Sequence, residues 1–106
     1  MTTMYGRLLD TSEAPEAGER ATTLVAMRST TVEQILSSAT PEPTVYEQDH
    51  DEWVVVLAGS ATLDVDGQHH ALGSGDWVLL RAGVPHRVLT TAAGTSWLAV
   101  HVGSDR

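Results

Sequence analysis

The dense spacing of turn-forming residues constrains the fold of this chain more than any other feature. From residue 21 onward, short runs rich in Thr, Val and Leu alternate with Gly, Pro and acidic clusters. Such runs predict strands, because β-branched side chains fit a pleated surface that Gly and Pro interrupt. The predicted strands are residues 22–28, 32–36, 44–48, 52–58, 61–65, 68–72, 76–81, 86–91 and 96–102. Short strands at this spacing indicate an all-β sandwich or barrel.

The first twenty residues have a different character. Residues 10–20 are rich in Glu, Ala, Pro and Gly and show no periodic pattern. We therefore expect an N-terminal arm or loop over residues 1–20 and a single barrel domain over residues 21–106. A chain of 106 residues is long enough to bury one hydrophobic core without disulfides, and this chain contains no cysteine.

The charge balance excludes some partners. Six arginines and no lysines face fourteen acidic residues, which gives a formal net charge of -8. Nucleic acids and anionic membranes require clustered positive charge, so neither is expected as a partner. The sequence shows neither an apolar signal segment near its start nor an apolar run of about 20 residues. We expect a cytoplasmic protein.

The dipeptide Asp66-Gly67 marks a tight hairpin. It separates two predicted strands, and both residues of a two-residue hairpin turn need a positive φ, which Asp and Gly tolerate. Ala61, Leu63 and Val65 are expected to share the buried face of the first of these strands.

Two predicted strands are apolar on both faces. Residues 53–57 and 97–100 do not alternate between apolar and polar side chains. A small barrel has little to cover its outer face, so a second sheet or subunit is needed to bury it. The sequence therefore predicts a homodimer.

Two spaced patterns resemble the motifs of the cupin family. Glu52, followed after six residues by Gly59, matches the second half of His-x-His-x(3 or 4)-Glu-x6-Gly. Gly75, Gly83 and His86 match the second motif, Gly-x5-Pro-x-Gly-x2-His-x3-Asn. The resemblance implies a double-stranded antiparallel jelly-roll β-barrel with a central pocket. In most cupins it also implies a divalent metal bound by three His and one Glu.

The first motif lacks its two histidines. Their positions fall on Tyr46 and Gln48 with the three-residue spacing. With the four-residue spacing they fall on Val45 and Glu47. Neither register supplies an imidazole, so the family's metal set is incomplete.

The predicted metal ligands are Gln48, Glu52 and His86. Glu52 and His86 occupy ligand positions of the motifs, and Gln48 can offer its amide oxygen, a weaker donor for a transition metal. A cation needs three or four converging donors, so His50 or His101 would have to act as the fourth. Such a site could bind Fe, Mn, Ni or Zn.

The remaining candidates concern the pocket and its proton chemistry. Tyr46 and His50 are the predicted catalytic residues, since either could carry a proton. Tyr46, His101 and Val54 are the predicted substrate-pocket residues. His101 enters the pocket if the strand face that carries Trp97 points inward, and otherwise lies at the surface.

Two functions from different classes remain open at this stage. The first is a metal-dependent enzyme that acts on a small organic molecule by oxygenase, isomerase or cyclase chemistry. The second is a metal-free cupin that binds a small molecule as a sensor or accessory protein.

Charged residues around the motifs have two interpretations. Arg81 and Arg87 flank a predicted turn and form either surface ion pairs or an anchor for a carboxylate ligand. Several acidic residues lie close together on the predicted pocket strand, which favours a cation nearby. The acidic residues of the arm are expected to have no functional role. The first group is Glu42, Glu47, Asp49, Asp51 and Glu52, and the second is Glu13, Glu16 and Glu19.

Overall fold

The computed structural model describes residues 3–103, and strands dominate its regular structure. The strands are β1 (Glu19–Met27), β2 (Thr30–Ser37), β3 (Asp51–Ala58), β4 (Ser60–Val65), β5 (Gln68–Gly73), β6 (Trp77–Leu80), β7 (His86–Thr91) and β8 (Thr95–Val102). A short 3₁₀ helix, Thr11–Glu13, precedes them.

The strands form two antiparallel sheets. One has the order β1-β2-β8-β3-β6, and the other has the order β5-β4-β7. The last strand, β8, lies between β2 and β3, and every strand pair among the described residues is antiparallel. This arrangement confirms the predicted all-β jelly-roll fold.

The core lies between the inner faces of the two sheets. In β3 the even-numbered residues from Glu52 to Val56 are buried and their odd-numbered neighbours are half-buried. This is the alternation of a strand whose one face meets a core. The core cluster consists of Ile35, Val54, Val56, Ala61, Leu63, Leu72, Leu80, Trp97 and Ala99.

The hairpin prediction is confirmed. Asp66 has a φ of 51° and Gly67 a φ of 85°. Val65 and Gln68, which flank the turn, pair directly across β4 and β5. Ala61 and Leu63 are buried, as expected from the alternation.

The predicted strand over residues 44–48 is wrong. Within this segment only Tyr46 pairs, through two backbone hydrogen bonds with His86 of 2.8 and 3.0 Å. Pro41 and Pro43 have no N–H to donate and keep the chain before Tyr46 out of a ladder. The carbonyl of Gln48 instead accepts a hydrogen bond from the N–H of Gly83.

The start of the first sheet differs slightly from the expected domain boundary. Strand β1 begins at Glu19, within the expected arm. The buried side chain of Gln34 ties the arm to the sheet: its amide donates to the carbonyl of Leu9, and its oxygen accepts from the Leu9 N–H. The division into arm and barrel domain stays a prediction.

The outer face of the five-stranded sheet is apolar and only partly covered. Trp77 is 60% exposed and Leu79 39% exposed, and both pair with half-buried residues of β3. Within one chain, therefore, only the inner face of β3 is fully buried.

No helix among residues 3–103 is long and apolar enough to cross a membrane.

Candidate functional site

A cavity of about 210 Å³ opens between the two sheets. Its walls divide into an apolar part and a polar part. The apolar part consists of Ile35, Val54, Leu63, Leu80, Val88 and Trp97. The polar part consists of Glu19, Glu33, Tyr46, Gln48, Glu52, His86 and His101.

Glu52 is a buried carboxylate without a hydrogen-bond partner among the described residues. It is 6% exposed, because it lies on the inward face of β3 together with Val54. Its Oε1 is 3.9 Å from Nδ1 of His101, which is too far for a hydrogen bond. A buried, unpaired carboxylate is costly unless a ligand or a proton satisfies it.

His86 presents one free ring nitrogen to the cavity. It begins β7 directly after the turn at Gly83 and is 8% exposed. Its Nδ1 lies 3.2 Å from the carbonyl oxygen of Val84, a contact that places the proton on Nδ1. The Nε2 lone pair is then available, and within the described chain it has no partner. The ring of Tyr46 stacks on His86 with centroids 5.9 Å apart.

Gln48 carries a second unsatisfied acceptor. Its side-chain Oε1 is buried and has no hydrogen-bond partner in the described part of the chain. Native proteins rarely leave such atoms unpaired, so a water or ligand in the cavity would satisfy this oxygen.

His101 enters the cavity wall and is held from both sides. Trp97 and Ala99 on its strand face are buried, so that face points inward. Nε2 of His101 lies 2.7 Å from Oε1 of Glu33, and its Nδ1 lies 2.9 Å from Nε2 of His50. Both ring nitrogens are therefore engaged.

His50 does not line the cavity. In a continuous strand, alternation would place His50 on one face with Tyr46, Gln48 and Glu52. Strand β3 begins only at Asp51, so the alternation does not extend back through residues 49–50. His50 borders a separate open depression and contacts the cavity only through His101.

The sequence reasoning missed Glu19 and Glu33. Glu19 was assigned to an inert arm, but it lies on β1 and borders the cavity mouth. Glu33 follows the same parity as Ile35 on β2, which was a usable signal once Ile35 was taken as core. Both side chains reach the site through strand pairing.

The carboxylates at the mouth repel one another. Burial raises the pKa of Glu19, and the charges of Glu52, Glu33 and Glu42 raise it further. Although Glu19 has an exposed side, its carboxyl group faces this acidic mouth. Burial and the charges of Glu19, Glu42 and Glu52 likewise raise the pKa of the Tyr46 hydroxyl.

Replacing Glu19 with Gln is expected to stabilise the protein at neutral pH but not near pH 3. Because the folded-state pKa of Glu19 lies above its ordinary value of 4.5, ionisation destabilises the folded state as pH rises through that range. The gain should stay below about 1 kcal/mol, since solvent screens a partly exposed group. Thermal melts of both proteins at the two pH values measure it. An equal gain at both pH values would contradict the electrostatic cause.

No arginine lies beside these acids in the cavity wall, and the chain has no lysine. Arg81 and Arg87 do not line the cavity, and Nε of Arg87 lies 3.7 Å from Oδ2 of Asp64 on the neighbouring strand. The interpretation of Arg87 as a surface ion pair therefore fits its position.

The donor set does not reproduce the metal site that the cupin resemblance implies. Among residues 3–103, no three His, Asp or Glu side chains are grouped so that they could hold a metal ion. His101 is engaged on both nitrogens, and Glu52, His86 and Gln48 provide one carboxylate, one imidazole and one amide. The predicted roles of these residues as metal ligands stay predictions.

Two short sheets that enclose a cavity lined in part by polar side chains define a small jelly-roll protein with an internal cavity. The family model described as "Cupin domain" matches residues 32–101. The chain belongs to the cupin family.

Solved structures of other proteins share this fold. One is a protein from Ralstonia eutropha JMP134 that is provisionally assigned as a mannose-6-phosphate isomerase. It is 30% identical to this chain with a TM-score of 0.76, and the match covers 93% of this chain and 100% of the Ralstonia chain. A cupin protein from Bacteroides fragilis is 17% identical with a TM-score of 0.70, over 97% and 85% of the two chains.

A larger enzyme contains the same domain. Salicylate 1,2-dioxygenase from Pseudaminobacter salicylatoxidans is 16% identical with a TM-score of 0.74, over 83% of this chain and 28% of the dioxygenase. At this identity the likeness shows the fold. No curated protein matched the chain.

Proposed function

We propose that this cupin binds a small organic molecule in the cavity between its sheets. One observation supports the proposal above others: three polar groups that make no hydrogen bond within the described residues line one cavity together with an apolar wall. These groups are the Glu52 carboxylate, Nε2 of His86 and Oε1 of Gln48. A pocket of this kind, apolar with a few oriented polar groups, is typical of small-molecule sites.

Proton transfer on the bound molecule is a second candidate function. The hydrogen bond to Val84 fixes the tautomer of His86, so that Nε2 can accept a proton from a ligand. Glu52 is buried and can hold or return a proton. Tyr46 stacks on His86 and can orient the ligand, whereas His50 could act only through His101.

The prediction of bound Fe, Mn, Ni or Zn is kept as a separate test. Glu52, His86 and Gln48 are the residues that would have to hold such an ion. They are fewer and weaker than the family's three His and one Glu, so we derive no reaction step through a metal. Elemental analysis of purified protein, and of the Glu52→Gln and His86→Ala variants, decides the question.

Phosphorylated sugars do not suit this cavity. A phosphate group would face Glu19, Glu33 and Glu52 without an arginine or lysine in the wall. The activity assigned to the Ralstonia protein is therefore not proposed for this chain.

The Gln48→Leu variant tests the binding function. Leucine removes the unpaired buried oxygen, so the protein should melt at the same temperature or higher. Ligands identified in a thermal-shift screen of metabolites should bind about tenfold more weakly, because they lose one hydrogen bond. Hits that bind Gln48→Leu as well as wild type, or a screen without hits, would contradict the proposal.

We also propose that the chain forms a homodimer through the outer face of the five-stranded sheet. Trp53 and Trp77 lie side by side there, with ring centroids 6.2 Å apart. Leu79 and Val102 add exposed apolar area on the same face. A self-complementary patch of this kind suits a two-fold interface between identical chains.

The Trp77→Glu variant tests the dimer. Wild type is expected to scatter light as twice the 11.3 kDa mass of one chain, and Trp77→Glu as a single chain, because a charge would be buried at the interface. Val45→Glu is the matched control, since Val45 is 57% exposed and lies outside this sheet. A monomeric wild type at micromolar concentration would refute the proposal.

A further inference from the structure

The charge of the cavity indicates what kind of molecule it accepts. Three carboxylates line it, from Glu19, Glu33 and Glu52, and Glu42 lies beside Glu19 in an adjoining depression. Within the described chain, Oε1 of Glu33 lies 2.7 Å from Nε2 of His101, and Oε1 of Glu52 lies 3.9 Å from Nδ1 of the same ring. The chain contains no lysine, and no arginine lines the wall.

Three groups of the cavity wall offer acceptors, while the Gln48 amide nitrogen and the Tyr46 hydroxyl can also donate. The Glu52 carboxylate and Oε1 of Gln48 can only accept, and Nε2 of His86 carries a lone pair because the proton lies on Nδ1. A ligand group that matches the three acceptors must therefore donate several hydrogen bonds. A primary ammonium has three N–H donors and a positive charge, so it satisfies both the charge and the donor requirement.

The apolar wall defines the rest of the ligand. Leu63, Leu80, Val88 and Trp97 enclose the side of the cavity away from the acids. A protein cavity of about 150 Å³ is large enough for benzene, and this cavity measures about 210 Å³. It therefore has room for one six-membered ring with a short substituent.

An organic cation fits these groups better than a metal ion. A divalent metal requires three or four donors within about 2.0–2.3 Å in a fixed geometry. The described residues bring no such set of His, Asp or Glu together. Hydrogen bonds to an ammonium tolerate donor–acceptor distances near 2.7–3.2 Å and broader angles.

We propose that the natural ligand of this cavity is a small primary amine with an apolar body of about one ring. Its ammonium group is held by Glu52, Gln48 and His86, and its ring packs against the inner wall near Trp97. This assignment rests on the proposed small-molecule function and specifies its ligand class.

A series of three isosteric probes tests the charge assignment. The probes are benzylamine, benzyl alcohol and benzoate, which share one ring and differ in charge. Their binding is measured by calorimetric titration at neutral pH, with EDTA present to remove stray metal ions. Benzylamine is expected to bind at least about tenfold more tightly than benzyl alcohol, since charge-assisted hydrogen bonds are the stronger ones. Benzoate should show no binding.

The Glu52→Gln variant locates the effect. It should weaken benzylamine binding about tenfold and leave benzyl alcohol within about twofold, because only the charge is removed. Glu47→Gln is the control, as Glu47 is exposed and does not line the cavity. An equal loss in both variants would indicate the overall charge of the protein and would overturn the assignment. If Glu52→Gln does not fold, the wild-type series decides by itself.

The outcomes separate this inference from the proposed function. If benzoate or benzyl alcohol binds as tightly as benzylamine, the ligand is not specifically an amine. If that binding is also weakened by Gln48→Leu, the small-molecule site itself is kept. Absence of binding by all three probes overturns the amine, and the metabolite screen then decides the function independently.

Discussion

Replacing Gly59 with alanine is expected to lower the free energy of unfolding by about 3 kcal/mol. Gly59 ends the Glu-x6-Gly pattern and has a φ of 94°, which an L-residue adopts only under strain. An added Cβ would lie 2.5 Å from Oγ1 and 2.9 Å from Cα of Thr95. Thr95 cannot withdraw, because it is fully buried and its hydroxyl donates to the carbonyl of Ala92 while accepting from the N–H of Ser60.

Gly67→Ala separates the two causes. Gly67 also has a positive φ, 85°, but an added Cβ would meet no atom within 4 Å. This variant should lose only the backbone contribution, about 1 kcal/mol. Urea unfolding of both variants measures the difference. Equal losses would show that Thr95 moves aside and that the close contact is not what requires glycine.

Replacing Gln34 with leucine is expected to detach the N-terminal arm and cost about 2–3 kcal/mol. Gln34 is 1% exposed and makes three hydrogen bonds, two to the backbone of Leu9 and one to Oγ of Ser96. Leucine fills a similar volume but leaves buried Ser96 unpaired and releases both Leu9 groups. The effect should therefore concentrate at the arm.

Limited trypsin digestion checks where the Gln34 effect falls. Cleavage after Arg7 requires the arm to leave the sheet locally, so it should speed up about tenfold or more. Gln68→Leu is the control, because Gln68 is exposed at a hairpin end. Unchanged cleavage after Arg7, together with a normal melting temperature, would show that other contacts hold the arm.

Residues close in sequence and residues close only in space determine different parts of this structure. The Asp-Gly turn signal correctly predicted the hairpin at Asp66, and alternation predicted the buried face with Leu63. The composition of residues 44–48 predicted a strand, but prolines and a single bridge to β7 replace a ladder there. The difference arises because a hairpin is stabilised by adjacent residues, whereas an isolated segment depends on a distant partner strand.

The candidate site shows the same division. The spacing of the cupin motifs identified Glu52, His86 and, in the three-residue register, Gln48, all of which line the cavity. Alternation could not place His50, because the bend at residues 49–50 interrupts the strand. Glu33 was overlooked because its shared parity with Ile35 is informative only once Ile35 is known to be part of the core. It faces His101 only through the pairing of β2 with β8.

The sequence by itself determined the fold class, the family and the motif residues, because alternation, turn chemistry and motif spacing are local properties of the chain. Only the tertiary structure decided the charge of the site and which groups remain unpaired. Glu19 and Glu33 reach the cavity from strands far from Glu52 in sequence, and His101 is occupied by His50 and Glu33. Electrostatic repulsion and hydrogen-bond saturation depend on distance in space, which strand pairing sets.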